Sequence, residues 1–331
     1  MTTPRVTLLP GDLIGRDLAP FVIELVAAAG GAMDWELQEA GAETGEGPVP
    51  MHVIESIRRN GLALKGPLKS PVGEGYESPT VTLRKALGLY AGVRRIRNLE
   101  GLKARYSGVD LVIVRENTED VYAGLEHQVH PGVVESIKVV TRAATERIAH
   151  FAYRYAAAHG RKRVAIVHKA NIMKKADGLF LSAAREVGAK YPEIETRDVI
   201  VDNACMQLVQ KPHQFEVLVC GNLYGDILSD LAAGLVGGIS AVWGVDQSDD
   251  VVVFDAIHGK AAHLMGKGVA NPLPMLLPAI ALLEHVGQAE AASRLQGAIS
   301  AVLTAGTTLT ADLGGSATTR EMATAIRSAM R

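Results

Sequence analysis

The stretch Arg163-Val164-Ala165-Ile166-Val167-His168-Lys169-Ala170-Asn171 sets four consecutive apolar residues against an abrupt polar end. An apolar run without alternation is what a strand needs when helices cover both of its faces. The same pattern recurs at 5–9, 33–38, 110–115, 195–201, 216–220 and 251–254. Between these runs the apolar spacing changes to that of helices, at 17–29, 53–60, 143–159, 178–187, 227–235, 273–286 and 290–303. Strand and helix therefore alternate, which predicts an α/β fold around a largely parallel sheet.

The chain of 331 residues is long enough for two domains. Hydrophobic residues make up 48% and charged residues 21%, which excludes a disordered chain. The 34 basic and 36 acidic side chains leave a net charge of −2, so no global basic footprint points to nucleic acid. The longest apolar stretches, 231–245 and 272–283, are short and broken by Gly or Pro, and no membrane span is expected. Cys205 and Cys220 cannot make a disulfide framework and lack metal-site spacing. A reduced, cytoplasmic setting is expected, and the first ten residues carry no signal-peptide pattern.

Two segments interrupt the alternation. Residues 66–80 are rich in Gly, Pro, Ser and charge and read as a long functional loop. Residues 126–141 place β-like arms around His130-Pro131-Gly132 and read as a projecting hairpin, an ordinary edge hairpin or one that pairs with a second chain.

Several side chains bear chemistry. Arg84, Arg94 and Arg115 fall at the ends of expected elements, and Arg115 directly follows Leu111-Val112-Ile113-Val114. Ligands of open α/β sheets sit beyond the carboxyl ends of strands, where a guanidinium offers a fork for carboxylate or phosphate. Each arginine alone is more simply read as a solvated or ion-paired surface residue. Asp226 and Asp230, four apart after the strand ending at Cys220, share a face if the helix has begun. Oxygen ligands of this kind suit Mg²⁺ or Mn²⁺, although spacing alone favours a helix N-cap at Asp226. Asp202 follows the apolar run Val199-Ile200-Val201 as a third acid, or as a solvated turn residue. Lys169 at a strand end is a candidate base if desolvated among cations, and Tyr122 a candidate proton donor. The bland alternatives are a surface lysine and a half-buried aromatic. Gly11-Asp12-Leu13-Ile14-Gly15 lacks the G-x-G-x-x-G fingerprint, and His258-Gly259 opens a Gly-rich segment after a strand.

Together these features resemble the β-decarboxylating dehydrogenases that act on isocitrate, homoisocitrate and 3-isopropylmalate. Arg115-Glu116-Asn117-Thr118-Glu119, Val167-His168-Lys169-Ala170-Asn171-Ile172-Met173-Lys174 and Asn222-Leu223-Tyr224-Gly225-Asp226-Ile227-Leu228-Ser229-Asp230 carry the likeness. It extends from Leu9-Pro10-Gly11-Asp12 to Asp312-Leu313-Gly314-Gly315. The resemblance implies a large α/β domain from both chain ends, 1–97 and 249–331, and a smaller central α/β domain, 98–248, carrying an intersubunit clasp hairpin. It implies a homodimer with a shared active site and a small tricarboxylate substrate. Arg84, Arg94 and Arg115 would bind substrate carboxylates together with Ser78, Thr80 and Asn171. Tyr122 and Lys169 would be catalytic. Asp202, Asp226 and Asp230 would hold Mg²⁺ or Mn²⁺, with Lys169 and Asp202 supplied by the neighbouring subunit. Ile14, His258, Gly259, His263, Asn271 and Asp312 would contact the nicotinamide cofactor.

Within the family, Ser70-Pro71-Val72-Gly73-Glu74-Gly75 and Ser78 resemble isocitrate dehydrogenase, where the serine meets the extra carboxylate. Homoisocitrate and 3-isopropylmalate are the alternative substrates, and a non-catalytic isocitrate-sensing subunit is the alternative role. Departures gather on the cofactor side: Leu13, Thr80, His258-Gly259-Lys260-Ala261-Ala262-His263, and Ile239-Ser240-Ala241-Val242-Trp243-Gly244-Val245. His263 stands where the family's Asp selects NAD and Lys favours NADP. Gly314 and Gly315 supply no Arg for a 2′-phosphate, so NAD is expected, with NADP the alternative.

Overall fold

The computed structural model describes residues 3–12, 14–40, 49–70, 77–257 and 261–330. The strands are β1 (Arg5–Leu9), β2 (Asp34–Leu37), β3 (Leu62–Lys65), β4 (Ala91–Arg97), β5 (Asp110–Glu116), β6 (Glu126–His130), β7 (Val133–Ser136), β8 (Arg163–His168), β9 (Glu195–Ile200), β10 (Val217–Cys220), β11 (Trp243–Gln247) and β12 (Val252–Asp255). The α-helices are α1 (Ile14–Ala28), α2 (Met51–Asn60), α3 (Pro79–Leu87), α4 (Arg142–Ala158), α5 (Ala176–Gly188), α6 (Val201–Gln210), α7 (Asn222–Leu235), α8 (Leu273–His285), α9 (Ala289–Ala305) and α10 (Thr319–Ala329).

Ten strands form one sheet in the order β2-β1-β3-β12-β11-β4-β5-β10-β8-β9, and β6 and β7 pair apart from it as a hairpin. Both wings of the large sheet are parallel, as the alternation predicts. The centre is not. β11 runs antiparallel to β12 and to β4, and β4 antiparallel to β5.

Helices cover both faces unequally. One face, with Val93, Val112, Val114, Val245 and Phe254, packs under α1, α4, α5, α8, α9 and α10 in one continuous core. The opposite face carries two separate patches. Ile96, Leu111 and Ile113 pack with α6 and α7, while Ala63, Val253 and Leu9 pack with α2 and α3. Leu111, Val112, Ile113 and Val114 are each 0% exposed, and burying each such side chain is worth about 1.5–3 kcal/mol. Because side chains alternate along a strand, Lys65, Arg94, Arg115, Asp246 and Asp255 all point to the second face. They fill the gap between its two apolar patches.

Three expectations change in detail. α7 begins at Asn222 rather than near 227, so Asp226 is a helical residue and not an N-cap, and it shares a face with Asp230. Asp202 sits in the first turn of α6 rather than in a strand-end turn. Thr80 and Arg84 lie on α3, a helix inside what reads as loop and flanking sequence; Pro79 at its start and Gly88 at φ 62 after its end delimit it. Leu13, the 71–75 part of the loop, His258, Gly259 and Lys260 lie outside the described residues.

Candidate active site

Arg115, buried near the end of β5, reaches α7. Its Nε and Nη2 donate to Asn222 Oδ1 at 2.8 and 2.6 Å, and its Nη1 pairs with Asp226. Gly225 permits this approach. A Cβ there would lie 2.6 Å from Arg115 Cγ and 2.7 Å from its Cβ. Tyr122 donates its hydroxyl proton to Asp226 Oδ2, and the Arg115 guanidinium lies 5.1 Å from the Tyr122 ring centre. Asp120 positions the tyrosine segment from an unusual backbone conformation, φ 75 and ψ −153. Its carboxylate accepts from the Val121 and Leu223 amides at 2.9 and 3.0 Å, tying the segment to the start of α7.

Burial, and then the hydrogen bond to Asp226, push the Tyr122 hydroxyl above its ordinary value. Burial works against the charge of Asp226, but Arg115 and the Tyr122 hydrogen bond outweigh it and hold that carboxyl below its ordinary value. Asp230 moves the other way, raised by burial and by its neighbour Asp226. Desolvation lowers Arg115, and the nearby Arg84 and Arg94 add to the shift.

Arg84 and Arg94 join this site from α3 and β4. Both are buried, at 5% and 4% exposure, and both address Asp246, itself 2% exposed. Arg84 Nε donates to Asp246 Oδ2 at 2.7 Å, and Arg94 Nη1 to Oδ1 at 3.3 Å. Asn117 Nδ2 reaches the same Oδ1 at 3.1 Å. Lys65 Nζ lies 2.7 Å from Asp255 Oδ1, and Arg94 Nη2 lies 3.8 Å from Asp255 Oδ2. Burial disfavours the charge of Asp246, yet Arg84 and Arg94 prevail and hold it far below the carboxylate range. Ser78 precedes α3, and its hydroxyl lies 2.7 Å from that of Ser70.

Lys169 and Asp202 form a pair of their own. The ammonium donates to Asp202 Oδ1, and the Lys169 amide to Asp177 Oδ2 at 2.6 Å. That ammonium hydrogen bond lowers the Asp202 carboxyl. Lys169 therefore faces a carboxylate rather than a cluster of cations. Asn171 is exposed nearby in sequence. Within one chain Asp202 does not join Asp226 and Asp230. Among the described residues, no three His, Cys, Asp or Glu side chains gather closely enough to hold a metal. Asp226 and Asp230 still fit part of such a set. They offer oxygen ligands on one helix face, and their mutual repulsion would be relieved by a cation.

Of the residues expected to contact the cofactor, Asn271 is buried and donates from Nδ2 to Asp312 Oδ2 at 2.9 Å. His263 is exposed in a short 3₁₀ turn, Ala262–Leu264, after Ala261 at φ 40. The Ile14 side chain belongs to the core, leaving its backbone as the part available to a ligand. Asp246, Asn117, Asn222, Lys65 and Asp255 were not singled out from sequence. Asp246 had a signal: in 243–247, Trp, Val and Gln alternate with Gly and Asp, as a strand with one polar face does.

This fold, a sheet with an antiparallel centre and an arginine-rich gap bordered by paired aspartates, is that of a known dehydrogenase class. A family profile described as isocitrate/isopropylmalate dehydrogenase matches residues 5–326, and the chain belongs to that family. It is 48% identical over 330 residues to the NAD isocitrate dehydrogenase catalytic subunit 5 of Arabidopsis thaliana, covering 98% of this chain and 88% of the relative. It is 44% identical over 322 residues to a regulatory subunit of the NAD isocitrate dehydrogenase of Dictyostelium discoideum, covering 96% and 89%. The solved isocitrate dehydrogenase of Methylococcus capsulatus superposes with a TM-score of 0.94 at 44% identity, covering 99% of both chains. The expected cytoplasmic setting needs correction: the Arabidopsis and Dictyostelium relatives are mitochondrial by name. Cys205 and Cys220 are unpaired, which does not by itself distinguish one compartment from another.

Proposed function

We propose that this chain is a catalytic NAD-dependent isocitrate dehydrogenase that converts isocitrate to 2-oxoglutarate and CO₂. The observation that carries this reading is the convergence of Arg84, Arg94 and Arg115 beside Tyr122 and Asp226 in one buried gap. Three guanidinium groups suit a substrate with several carboxylates. Ser78 stands at the start of α3, the end of a helix that favours negative charge, and suits the carboxylate that 3-isopropylmalate lacks.

The arginines bind and orient the substrate. Lys169 of the neighbouring subunit, as the neutral amine once its ammonium proton has passed to water, takes the hydroxyl proton as the carbinol carbon is oxidised to a ketone. The β-carboxylate then leaves as CO₂, and its bonding electrons remain on the substrate as an enolate. Tyr122, a protonated hydroxyl held by Asp226, delivers a proton to carbon. Asp226 and Asp230, with Asp202 of the neighbouring subunit, would hold Mg²⁺ or Mn²⁺, which supplies Lewis-acid polarisation of the hydroxyl and ketone oxygen. Asn271, Asp312, His263, Ile14, His258 and Gly259 would line the site of NAD, which supplies the hydride acceptor. Thr80 and Asn171 would border the substrate.

The separation of the Lys169–Asp202 pair from the Tyr122–Asp226 cluster supports a homodimer whose sites take residues from both chains. The hairpin supports it too: Val129, Val133, Val134 and Ile137 are 54%, 49%, 65% and 42% exposed. In this reading the large domain is 1–97 with 249–331, and the small domain is 98–248.

The test is nicotinamide reduction by the purified chain with Mn²⁺, crossing isocitrate, homoisocitrate and 3-isopropylmalate with NAD⁺ and NADP⁺. Turnover in the isocitrate–NAD⁺ pair alone is expected. Turnover only with another acid or cofactor overturns the specificity. Isocitrate binding by calorimetry without any turnover favours the sensing role, alongside the Dictyostelium relative that is named a regulatory subunit.

A further inference from the structure

Arg84 and Arg94 reach the gap from different elements, a helix and a central strand, and neither has another carboxylate within hydrogen-bond distance among the described residues. What joins them is Asp246. Both of its oxygens are engaged: Oδ2 takes Arg84 Nε at 2.7 Å, while Oδ1 takes Arg94 Nη1 at 3.3 Å and Asn117 Nδ2 at 3.1 Å. The strand is shaped around this arrangement. Gly244, two residues earlier on the same face of β11, leaves room that a Cβ would take, 2.1 Å from Arg94 Nη1 and 2.5 Å from its Cζ. Gly92, paired with Asp246 across the sheet, leaves similar room for Asn117, whose Oδ1 would be 2.8 Å from a Cβ there.

The hydrogen bonds also divide the guanidinium edges. Asp246 uses Nε of Arg84 and leaves both terminal nitrogens without a protein partner among the described residues. It uses Nη1 of Arg94 and leaves Nη2 3.8 Å from Asp255. Two like charges held together in a low-dielectric gap repel strongly, and an internal counter-ion with satisfied geometry removes that cost before a ligand arrives.

We propose that Asp246 is the positioning residue of the substrate-carboxylate pocket: it holds Arg84 and Arg94 together, with the end-on edge of Arg84 and Nη2 of Arg94 turned out as a clamp for one carboxylate. This rests on the proposed function, and deepens it by assigning the pocket's geometry to a carboxylate of this chain. Asparagine cannot replace it. One side of the amide is a donor, and whichever way it turns it meets either Arg84 Nε or the Arg94 and Asn117 donors.

The experiment is a double-mutant cycle on substrate binding, with Asp246→Asn, Asp246→Ala, Arg84→Ala and Asp246→Ala/Arg84→Ala. KM and kcat are read where there is turnover, calorimetric affinity for isocitrate in every variant, and thermal unfolding as a control for folding. Asp246→Asn, which keeps the volume, is expected to weaken isocitrate binding at least about tenfold, the loss of one charged hydrogen bond. Asp246→Ala should weaken it further in the wild-type background and less than about threefold beside Arg84→Ala, because residues acting through one partner are not additive. Equal or tighter binding by Asp246→Asn overturns the proposal and makes Asp246 a brake on anion binding. Additive losses overturn it as well, since they leave Arg84 and Asp246 acting separately. A wild-type chain that turns over a different acid refutes the functional reading alone. The same cycle, run with that acid, still decides the role of Asp246.

Discussion

Gly225→Ala sets stability against activity at a single atom. Gly225 lies inside α7, where replacing glycine by alanine gains about 0.8–1 kcal/mol of helix propensity. The new methyl would sit 2.6, 2.7 and 3.0 Å from Cγ, Cβ and Cδ of Arg115. These atoms are the base of the side chain rather than its flexible end, so the whole arginine must shift. Overpacking of this kind costs about 1–3 kcal/mol, which leaves net stability unchanged or lowered by about 2 kcal/mol. The shift pulls Nε and Nη2 from Asn222 and Nη1 from Asp226. Losing one charged hydrogen bond of about 1.5–3 kcal/mol from the bound state predicts a drop in kcat/KM for isocitrate of roughly 10- to 150-fold. The assay pairs initial rates with urea unfolding at one temperature. Activity within threefold of wild type would refute the placement of Arg115 against Gly225, whatever the stability change.

Lys169→Ala should abolish turnover while leaving metal-dependent isocitrate binding measurable by calorimetry. Co-expressed with Tyr122→Phe, it should regain up to about a quarter of wild-type activity, because random pairing of two copies leaves one intact composite site in half of the dimers; no recovery would show that both residues serve the same chain's site. Burial pushes the Cys220 thiol up to about 12, so at most one thiol per native chain, Cys205, should react with a maleimide at about pH 8, and rapid labelling of both by mass spectrometry would contradict the packing. Glu36, hydrogen-bonded by Asn60 and Arg59, is lowered from 4.5 to about 2. Its folded value lies below its unfolded one, so its stabilisation is complete above about pH 5 and lost as pH falls toward 2. Glu36→Gln should flatten the acid limb of urea unfolding across that window, and an unchanged limb would remove Glu36 from the balance.

Most strands of the parallel wings were legible, and the clearest are apolar on both faces, as Leu111-Val112-Ile113-Val114 and Val164-Ala165-Ile166-Val167 show; β3, only four residues long, was not. The centre was not. β4 reads Val93-Arg94-Arg95-Ile96-Arg97, and three arginines in five residues obscure a strand whose buried charge, Arg94, is neutralised by partners distant in sequence. α3 was hidden for the opposite reason, since Pro79-Thr80-Val81-Thr82 has weak helix propensity and is held by packing of Leu83 and Leu87 against the α2 patch. The residues singled out for chemistry came from linear motifs, and each motif carries its own segment's side chains. Asp246 lies in none of them. It contributes through pairs 152 and 162 residues apart in the chain, which no local pattern records.

The alternation of β11 makes that strand tolerant in one way and brittle in another. Val245 enters the main core while Asp246 faces the arginines. A substitution at either position disturbs one environment and spares the other. Adding or deleting one residue in 243–247 does not, because it turns every side chain to the opposite side. The carboxylate would then enter an apolar core, and a valine would stand between two guanidinium ions. In this segment chain length is therefore under stricter control than residue identity, and a shift of register by one position would cost the protein its core and its anion site together.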